Sequence, residues 1–187
     1  MGVGRQVDGH AGRRAVFLDR DGVLNAAMVR ADKPYPPDAL EDLAVLPGVP
    51  DALDRLRRLG FLLLVVTNQP DVARGDQTRA AVDALNAELA RRLPLDDVLV
   101  CFHDDADGCA CRKPLPGLLL RGAERYGVDL SASYLVGDRW RDIEAGRRAG
   151  VRTVFIDYHY DERRPEPPAD ATAADLNAAV DWIVTHL

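Results

Sequence analysis

Apolar residues along the chain fall into short unbroken runs separated by stretches of helical period. Ala15-Val16-Phe17-Leu18 is continuously apolar and ends in acids, the pattern of a strand buried on both faces whose carboxyl end opens into a site. Leu53, Leu56 and Leu59 share one helical face over residues 50–59, and Gly60 stands where a left-handed cap closes a helix. Phe61–Val66 is a second apolar run ending at Thr67-Asn68, after which Val82, Leu85, Leu89 and Leu93 recur at helical spacing. Val98–Val100 predicts a third strand, and Leu119, Ala123 and Tyr126 a helix beyond it. Tyr134–Val136 and Val151–Ile156 predict two more strands around a helix over Ile143–Ala149 that Gly150 closes. A last helix carries Leu176, Val180, Ile183 and Leu187, after the Pro-rich turn Pro165–Pro168.

Strands alternating with helices at this spacing predict βαβ units: an α/β, three-layer Rossmann-like domain with a central, mainly parallel sheet. Residues 1–13 have no periodicity and are expected to form a flexible lead-in, leaving 14–187 as a single domain. In such open sheets ligands bind outside the carboxyl ends of the strands, where the strand order reverses. Asp19-Arg20-Asp21, Thr67-Asn68, a Cys/His loop and Gly137-Asp138 all fall at such ends. Four polar clusters on one edge point to an active site.

Composition narrows the partners. The chain has 187 residues, 47% hydrophobic and 29% charged, ordinary values for one globular domain. A net charge of −6 argues against a general affinity for nucleic acid or anionic lipid, which needs a basic face. No stretch approaches the roughly 18 consecutive apolar residues of a membrane span, and the N-terminus lacks the apolar core of a secretory signal. A cytoplasmic monomer is expected. Cys101, Cys109 and Cys111 crowd into one loop, a poor layout for a disulfide framework and a natural one for metal ligands.

The clusters suggest specific chemistry. Asp19 and Asp21, two apart beyond a strand, can aim their carboxylates into one crevice while Arg20 turns away. With Asp138 they would form a hard oxygen site suited to Mg²⁺. A carboxylate nucleophile can form an aspartyl-phosphate while a neighbouring acid serves the leaving oxygen and then the attacking water. Thr67, the Asn68 amide and Lys113 are candidate donors to the phosphoryl oxygens. Cys101-x-His103-x5-Cys109-x-Cys111 supplies three thiolates and an imidazole, the count for a closed tetrahedral zinc site. Taken alone, the acids also describe a solvated, helix-capping turn, and the cysteines unconnected reduced thiols.

FLDRDGVLN, VVTNQ, CRKP and VGDRWRD, in this order, resemble the four signature motifs of the haloacid dehalogenase superfamily of phosphohydrolases. The resemblance implies Asp19 as nucleophile and Asp21 as general acid/base, with Thr67 and Lys113 binding the phosphoryl group. It also implies Mg²⁺ on Asp19, Asp138 and the Asp21 backbone carbonyl, supported from outside by Asp142. The Cys/His loop ahead of Arg112-Lys113-Pro114 is similar to that of the heptose 1,7-bisphosphate 7-phosphatase subfamily, where it binds structural zinc and shapes the pocket. The chain departs from that subfamily at Pro70-Asp71, in a loop expected to touch the sugar, and at Arg139, where Lys is usual. The segments after Asn25 and between Thr67 and Lys113 leave no room for a cap domain. An open site suits a small sugar phosphate, with Arg112 able to grip a second phosphate. Histidinol phosphate is the rival substrate, with Asp71 its candidate partner. A receiver domain would accept phosphate on a lone aspartate after a later strand, which is missing before Thr67. A non-catalytic zinc-bearing adaptor would not need Asp19, Asp21, Thr67, Lys113 and Asp138 together.

Overall fold

The computed structural model describes residues 12–30 and 33–187. In chain order the elements are β1 (Ala15–Leu18), β2 (Met28–Arg30), β3 (Lys33–Tyr35), α1 (Val49–Arg58), β4 (Leu62–Asn68), α2 (Asp71–Arg74), α3 (Arg79–Arg92), β5 (Asp97–Cys101), α4 (Gly117–Tyr126), β6 (Tyr134–Gly137), α5 (Trp140–Ala149), β7 (Arg152–Ile156), β8 (Ala171–Ala173) and α6 (Leu176–Thr185). Six strands form one sheet in the order β5-β4-β1-β6-β7-β8, and every neighbouring pair is parallel. The chain moves outward from β1 through β4 to β5, then returns to place β6 on the other side of β1. The order therefore reverses between β1 and β6.

The unbroken apolar runs are explained by the two faces they serve. Val16 and Leu18 point into a core shared with α1, α3 and α6 through Leu53, Leu56, Leu85, Leu89, Val180 and Ile183. Ala15 and Phe17, alternate residues of the same strand, point into a second core with Leu118 and Leu119 of α4 and Ala145 and Ala149 of α5. A strand covered on both sides has no polar face to show. Burying each large side chain contributes about 1.5–3 kcal/mol, and all four β1 residues are completely buried.

Some elements differ from the sequence reading. The antiparallel β2–β3 hairpin stands apart from the sheet, and its Pro34 obscures any strand signal. β8 is a three-residue edge strand, and α2 a single turn. The terminal helix ends at Thr185, so Leu187 lies beyond it, 57% exposed. Most of the lead-in assigned to residues 1–13 lies outside the described residues. Arg13 itself is paired: its N–H donates to the Gly127 carbonyl (2.9 Å), and it bridges to Val128. Between β1 and α1 the chain spends its length on the hairpin and a 3-10 turn. Among the described residues no second domain stands over the edge where β1 and β6 end.

Gly146 shows how tightly α5 meets the sheet. A Cβ there would lie 2.6 Å from Cγ2 of Thr153 and 3.1 Å from Cδ2 of Leu135. Thr153 is fully buried, and its hydroxyl is bonded to Asp170 (2.9 Å), so it cannot rotate aside freely. Alanine gains about 1 kcal/mol of helix propensity over glycine, whereas overpacking costs about 1–3 kcal/mol. Gly146→Ala is accordingly expected to lower the melting temperature; a calorimetric scan showing an unchanged or higher value would refute this packing argument.

Candidate active site

Asp19 is the first residue past β1, where its N–H still pairs with Val136 of β6 (3.0 Å). The chain then turns sharply at Gly22, which has φ +88° and whose added Cβ would meet Oδ2 of Asp138 at 2.1 Å. Only glycine permits both the left-handed turn and so close an approach. Asp138 follows β6, and Asp142 lies one turn into α5, accepting the Arg139 N–H (3.0 Å) and so capping that helix. Ligand oxygens of Asp19, Asp138 and Asp142 lie within 4.8 Å of one another, and all three residues are buried.

One ammonium knits this cluster. Lys113, 2% exposed, places Nζ 2.7 Å from Oδ1 of Asp19, 2.5 Å from Oδ1 of Asp142 and 2.8 Å from the Val66 carbonyl. Burial alone would lower its pKa, but Asp142 and Asp19 outweigh it and leave the pKa raised. Burial pushes the Asp19 carboxyl up to about 6; Lys113 opposes the shift and Asp142 adds to it. Asp138 is pushed well up by burial, then by the charges of Asp19 and Asp142. Both Asp138 oxygens are buried, with no hydrogen-bond partner among the described residues. Three buried carboxylates against one ammonium leave an excess of negative charge, and the unpartnered hard oxygens fit a divalent cation such as Mg²⁺.

Asp21 is held differently. Arg20 does turn away from the cleft, but into the interior, where it is completely buried and reaches back to Asp21. Its Nε and Nη2 donate to the two Asp21 oxygens (3.1 and 2.8 Å), and its Nη1 donates to Asn86 Oδ1 (3.0 Å). Asn25 and Gln69 also donate to Asp21 (2.9 and 3.0 Å), and Gln69 donates to the Thr67 hydroxyl (2.9 Å). The Asp21 carboxylate therefore faces these four donors, while Asp142 joins Asp19 and Asp138 directly. Asn68 clamps the Lys113 backbone at both ends: Nδ2 donates to the Lys113 carbonyl (3.0 Å), and the Lys113 N–H donates to Oδ1 (3.1 Å). Arg20, Asn25, Gln69 and Asn86 escape a sequence reading because only the fold brings them together.

The cleft over this edge has a volume of about 290 Å³, and its lining includes Asp19, Asp21, Thr67, Lys113 and Asp138 together with Arg74, Arg112, Arg139 and Arg141. Arg112 is 9% exposed and donates to Asp105 (2.8 Å) and to the His103 carbonyl (3.3 Å). Arg74 pairs with Asp104 (2.7 Å) and with Asp71 (3.3 Å), so the Asp71 carboxylate already has a cationic partner. Arg139 is paired with Glu162. Arg74, Arg141 and Glu162 also line the cleft, and the sequence alone assigns them no chemistry.

Beside the cleft, the Cys/His loop gathers its donors. Sulfur separations are 3.7 Å for Cys101–Cys109, 3.2 Å for Cys101–Cys111 and 3.5 Å for Cys109–Cys111. His103 Nδ1 lies 3.6 Å from Cys101 Sγ and 3.4 Å from Cys111 Sγ. Zinc–sulfur bonds of about 2.3 Å and zinc–nitrogen bonds of about 2.0 Å put tetrahedral edges at roughly 3.8 and 3.6 Å, close to these values. Burial pushes the Cys101 thiol up to about 12. At Cys109, burial is outweighed by hydrogen bonds from the Arg112 and Cys111 backbones and the neighbouring thiols, which bring it down to about 7. The four donors could hold one metal ion.

A doubly wound parallel sheet with a buried acid–lysine cluster at its reversal point defines an α/β enzyme. A family model described as haloacid dehalogenase-like hydrolase matches residues 25–150, a span that includes Thr67, Lys113, Asp138 and Asp142 and begins after Asp19 and Asp21. The chain is 34% identical over 185 residues to D-glycero-beta-D-manno-heptose-1,7-bisphosphate 7-phosphatase of Yersinia pestis, covering 92% of this chain and 90% of that protein. It is 36% identical over 197 residues to D-glycero-D-manno-heptose-1,7-bisphosphate 7-phosphatase of Thermosynechococcus vestitus, covering 94% and 97%. The crystal structure of D,D-heptose 1,7-bisphosphate phosphatase from B. bronchiseptica, complexed with magnesium and phosphate, superposes with a TM-score of 0.77 at 29% identity, covering 93% of this chain and 99% of that one. The chain belongs to the haloacid dehalogenase-like hydrolase family. No helix among the described residues is long and apolar enough to cross a membrane.

The raised carboxyls give metal and pH effects a definite sign. Asp19 ordinarily titrates near 3.8 and here near 6, so between those values the folded, metal-free protein binds more protons than the unfolded chain. Its stability should rise as pH falls from 7.5 to 5, whereas carboxyls held low, such as Asp104 at about 2, lose their contribution only below about pH 4. Melting in EDTA should therefore rise over that interval. Mg²⁺ should raise melting at pH 7.5 by occupying the same oxygens, and a flat profile with no response to Mg²⁺ would contradict the acid-cluster account. Cys109→Ser should lower both bound metal and melting temperature, because binding at such a site is coupled to folding; metal analysis and calorimetry check both.

Proposed function

We propose that the protein is a magnesium-dependent phosphatase acting on a small phosphorylated sugar, D-glycero-D-manno-heptose 1,7-bisphosphate cleaved at the 7-position, through an aspartyl-phosphate on Asp19. The observation that carries this reading is the buried Lys113 ammonium between Asp19 and Asp142. It gives a nucleophilic carboxylate and the oxygens of a transferred phosphoryl group one shared cation. Residues 14–187 act as one catalytic domain.

An Asp19 oxygen attacks phosphorus, the bond from phosphorus to the sugar's 7-oxygen breaks, and Asp21 gives that oxygen its proton. Water then attacks the aspartyl-phosphate, Asp21 takes the proton back, inorganic phosphate leaves and Asp19 is restored. Arg20, Asn25 and Gln69 hold Asp21 for this exchange. The Thr67 hydroxyl and Lys113 face the transferred oxygens, and Asn68 serves by fixing the Lys113 backbone. Asp19, Asp138 and the Asp21 carbonyl, with Asp142 beside them, would hold Mg²⁺, which would supply positive charge against the phosphoryl group. Cys101, His103, Cys109 and Cys111 would hold zinc, which would fix the loop that frames the cleft, and Arg112 grips the second phosphate.

Asp19→Asn is expected to cut phosphate release by about three orders of magnitude or more with the fold intact by circular dichroism. Appreciable turnover in that variant would exclude Asp19 as the nucleophile. In the native enzyme, kcat/KM for one anomer of the heptose bisphosphate should exceed that for histidinol phosphate and sugar monophosphates by about a hundredfold; even activity across the panel would remove this substrate and keep the chemistry.

A further inference from the structure

Two guanidiniums that line the cleft converge on one carboxylate. Arg112 donates to Asp105 Oδ1 at 2.8 Å, and Arg141 places Nη1 and Nη2 at 3.2 and 3.4 Å from the two Asp105 oxygens. The arginines are the better anchored groups. The Arg112 side chain is 10% exposed and is also tied to the His103 carbonyl, and Arg141 lies over the Trp140 ring, 4.9 Å from its centroid. Asp105, by contrast, is 58% exposed at the start of a single 3-10 turn, and ion pairs at such exposed carboxylates are held weakly. Its neighbour Asp104 is engaged by Arg74 through two hydrogen bonds (2.9 and 2.7 Å) and meets Arg112 only at 3.8 Å, with no contact to Arg141 among the ion pairs of the described residues.

We propose that Arg141 joins Arg112 at the subsite for the non-reacting terminal phosphate of the substrate, and that Asp105 is an internal stand-in for that phosphate until substrate arrives. This deepens the preceding reading and rests on its bisphosphate substrate. A phosphate dianion offers three terminal oxygens to two guanidinium forks and displaces a carboxylate monoanion that offers two. A monophosphate has nothing with which to make the exchange and leaves Asp105 in place. Asp105 thus takes away part of the bisphosphate's advantage by competition, and Arg141 supplies that advantage by attraction.

The test is the ratio of kcat/KM for D-glycero-D-manno-heptose 1,7-bisphosphate over the 7-phosphate, measured in the full-length Mg²⁺-loaded enzyme, in Arg141→Gln and in Asp105→Asn, with equal zinc content verified. Arg141→Gln should lower the ratio by about tenfold and Asp105→Asn should raise it by about threefold or more. A ratio unmoved in Arg141→Gln, or unmoved or lowered in Asp105→Asn, overturns the proposal. If the native enzyme cleaves neither heptose phosphate, the substrate reading fails on its own. The subsite is then decided, with the same expected directions, by how much better fructose 1,6-bisphosphate than fructose 6-phosphate inhibits p-nitrophenyl phosphate cleavage in the three proteins.

Discussion

The Lys113 ammonium, buried against Asp19, Asp142 and the Val66 carbonyl, is the interaction on which the rest of the site depends. Three carboxylates at the ends of β1 and β6 and on the first turn of α5 could not share so small a volume unaided, because like charges in a desolvated site drive one another's pKa upward. The lysine offsets part of that repulsion, and the shortfall is the opening for a cation. Each partner comes from a different element: β1, α5 and the end of β4. The charge cluster therefore also ties together the strands that meet where the sheet order reverses.

Much of the frame was readable from residue pattern because it rests on period. β1 was found to the residue, Ala15–Leu18, since a strand buried on both faces leaves a run with no polar interruption. The helices were found from apolar spacing and their glycine stops, Gly60 and Gly150. What escaped has no period to show: a hairpin carrying Pro34 off the main sheet, a three-residue edge strand, and a one-turn helix. Leu187 continues the apolar stripe in the sequence, but the helix stops at Thr185 and leaves it exposed.

The same division holds at the site. Asp19, Asp138, Lys113 and the Cys/His donors were visible because motif and strand end coincide in the sequence. For Arg20 the sequence shows only that it turns away from the crevice between the two acids, and not where it goes. Its burial is understood only once Asn86 of α3 is seen receiving it and both Asp21 oxygens are seen accepting from it. Arg74 and Arg141 lie 67 residues apart in sequence yet end on adjacent aspartates of one loop, a convergence that only the sheet topology produces.

Three parts of the site are joined by very little chain. Cys111 belongs to the thiol cluster, Arg112 reaches Asp105 and Lys113 belongs to the acid cluster, and they are consecutive. Two peptide units span at most about 7 Å, and Asn68 holds the last of them by both backbone groups. The backbone positions from which Arg112 and Lys113 reach into the cleft are consequently set within that span by covalent bonds. Changing the spacing of these two anchor points would take an insertion or deletion in the backbone, whereas the reach of each side chain is set by its rotamers.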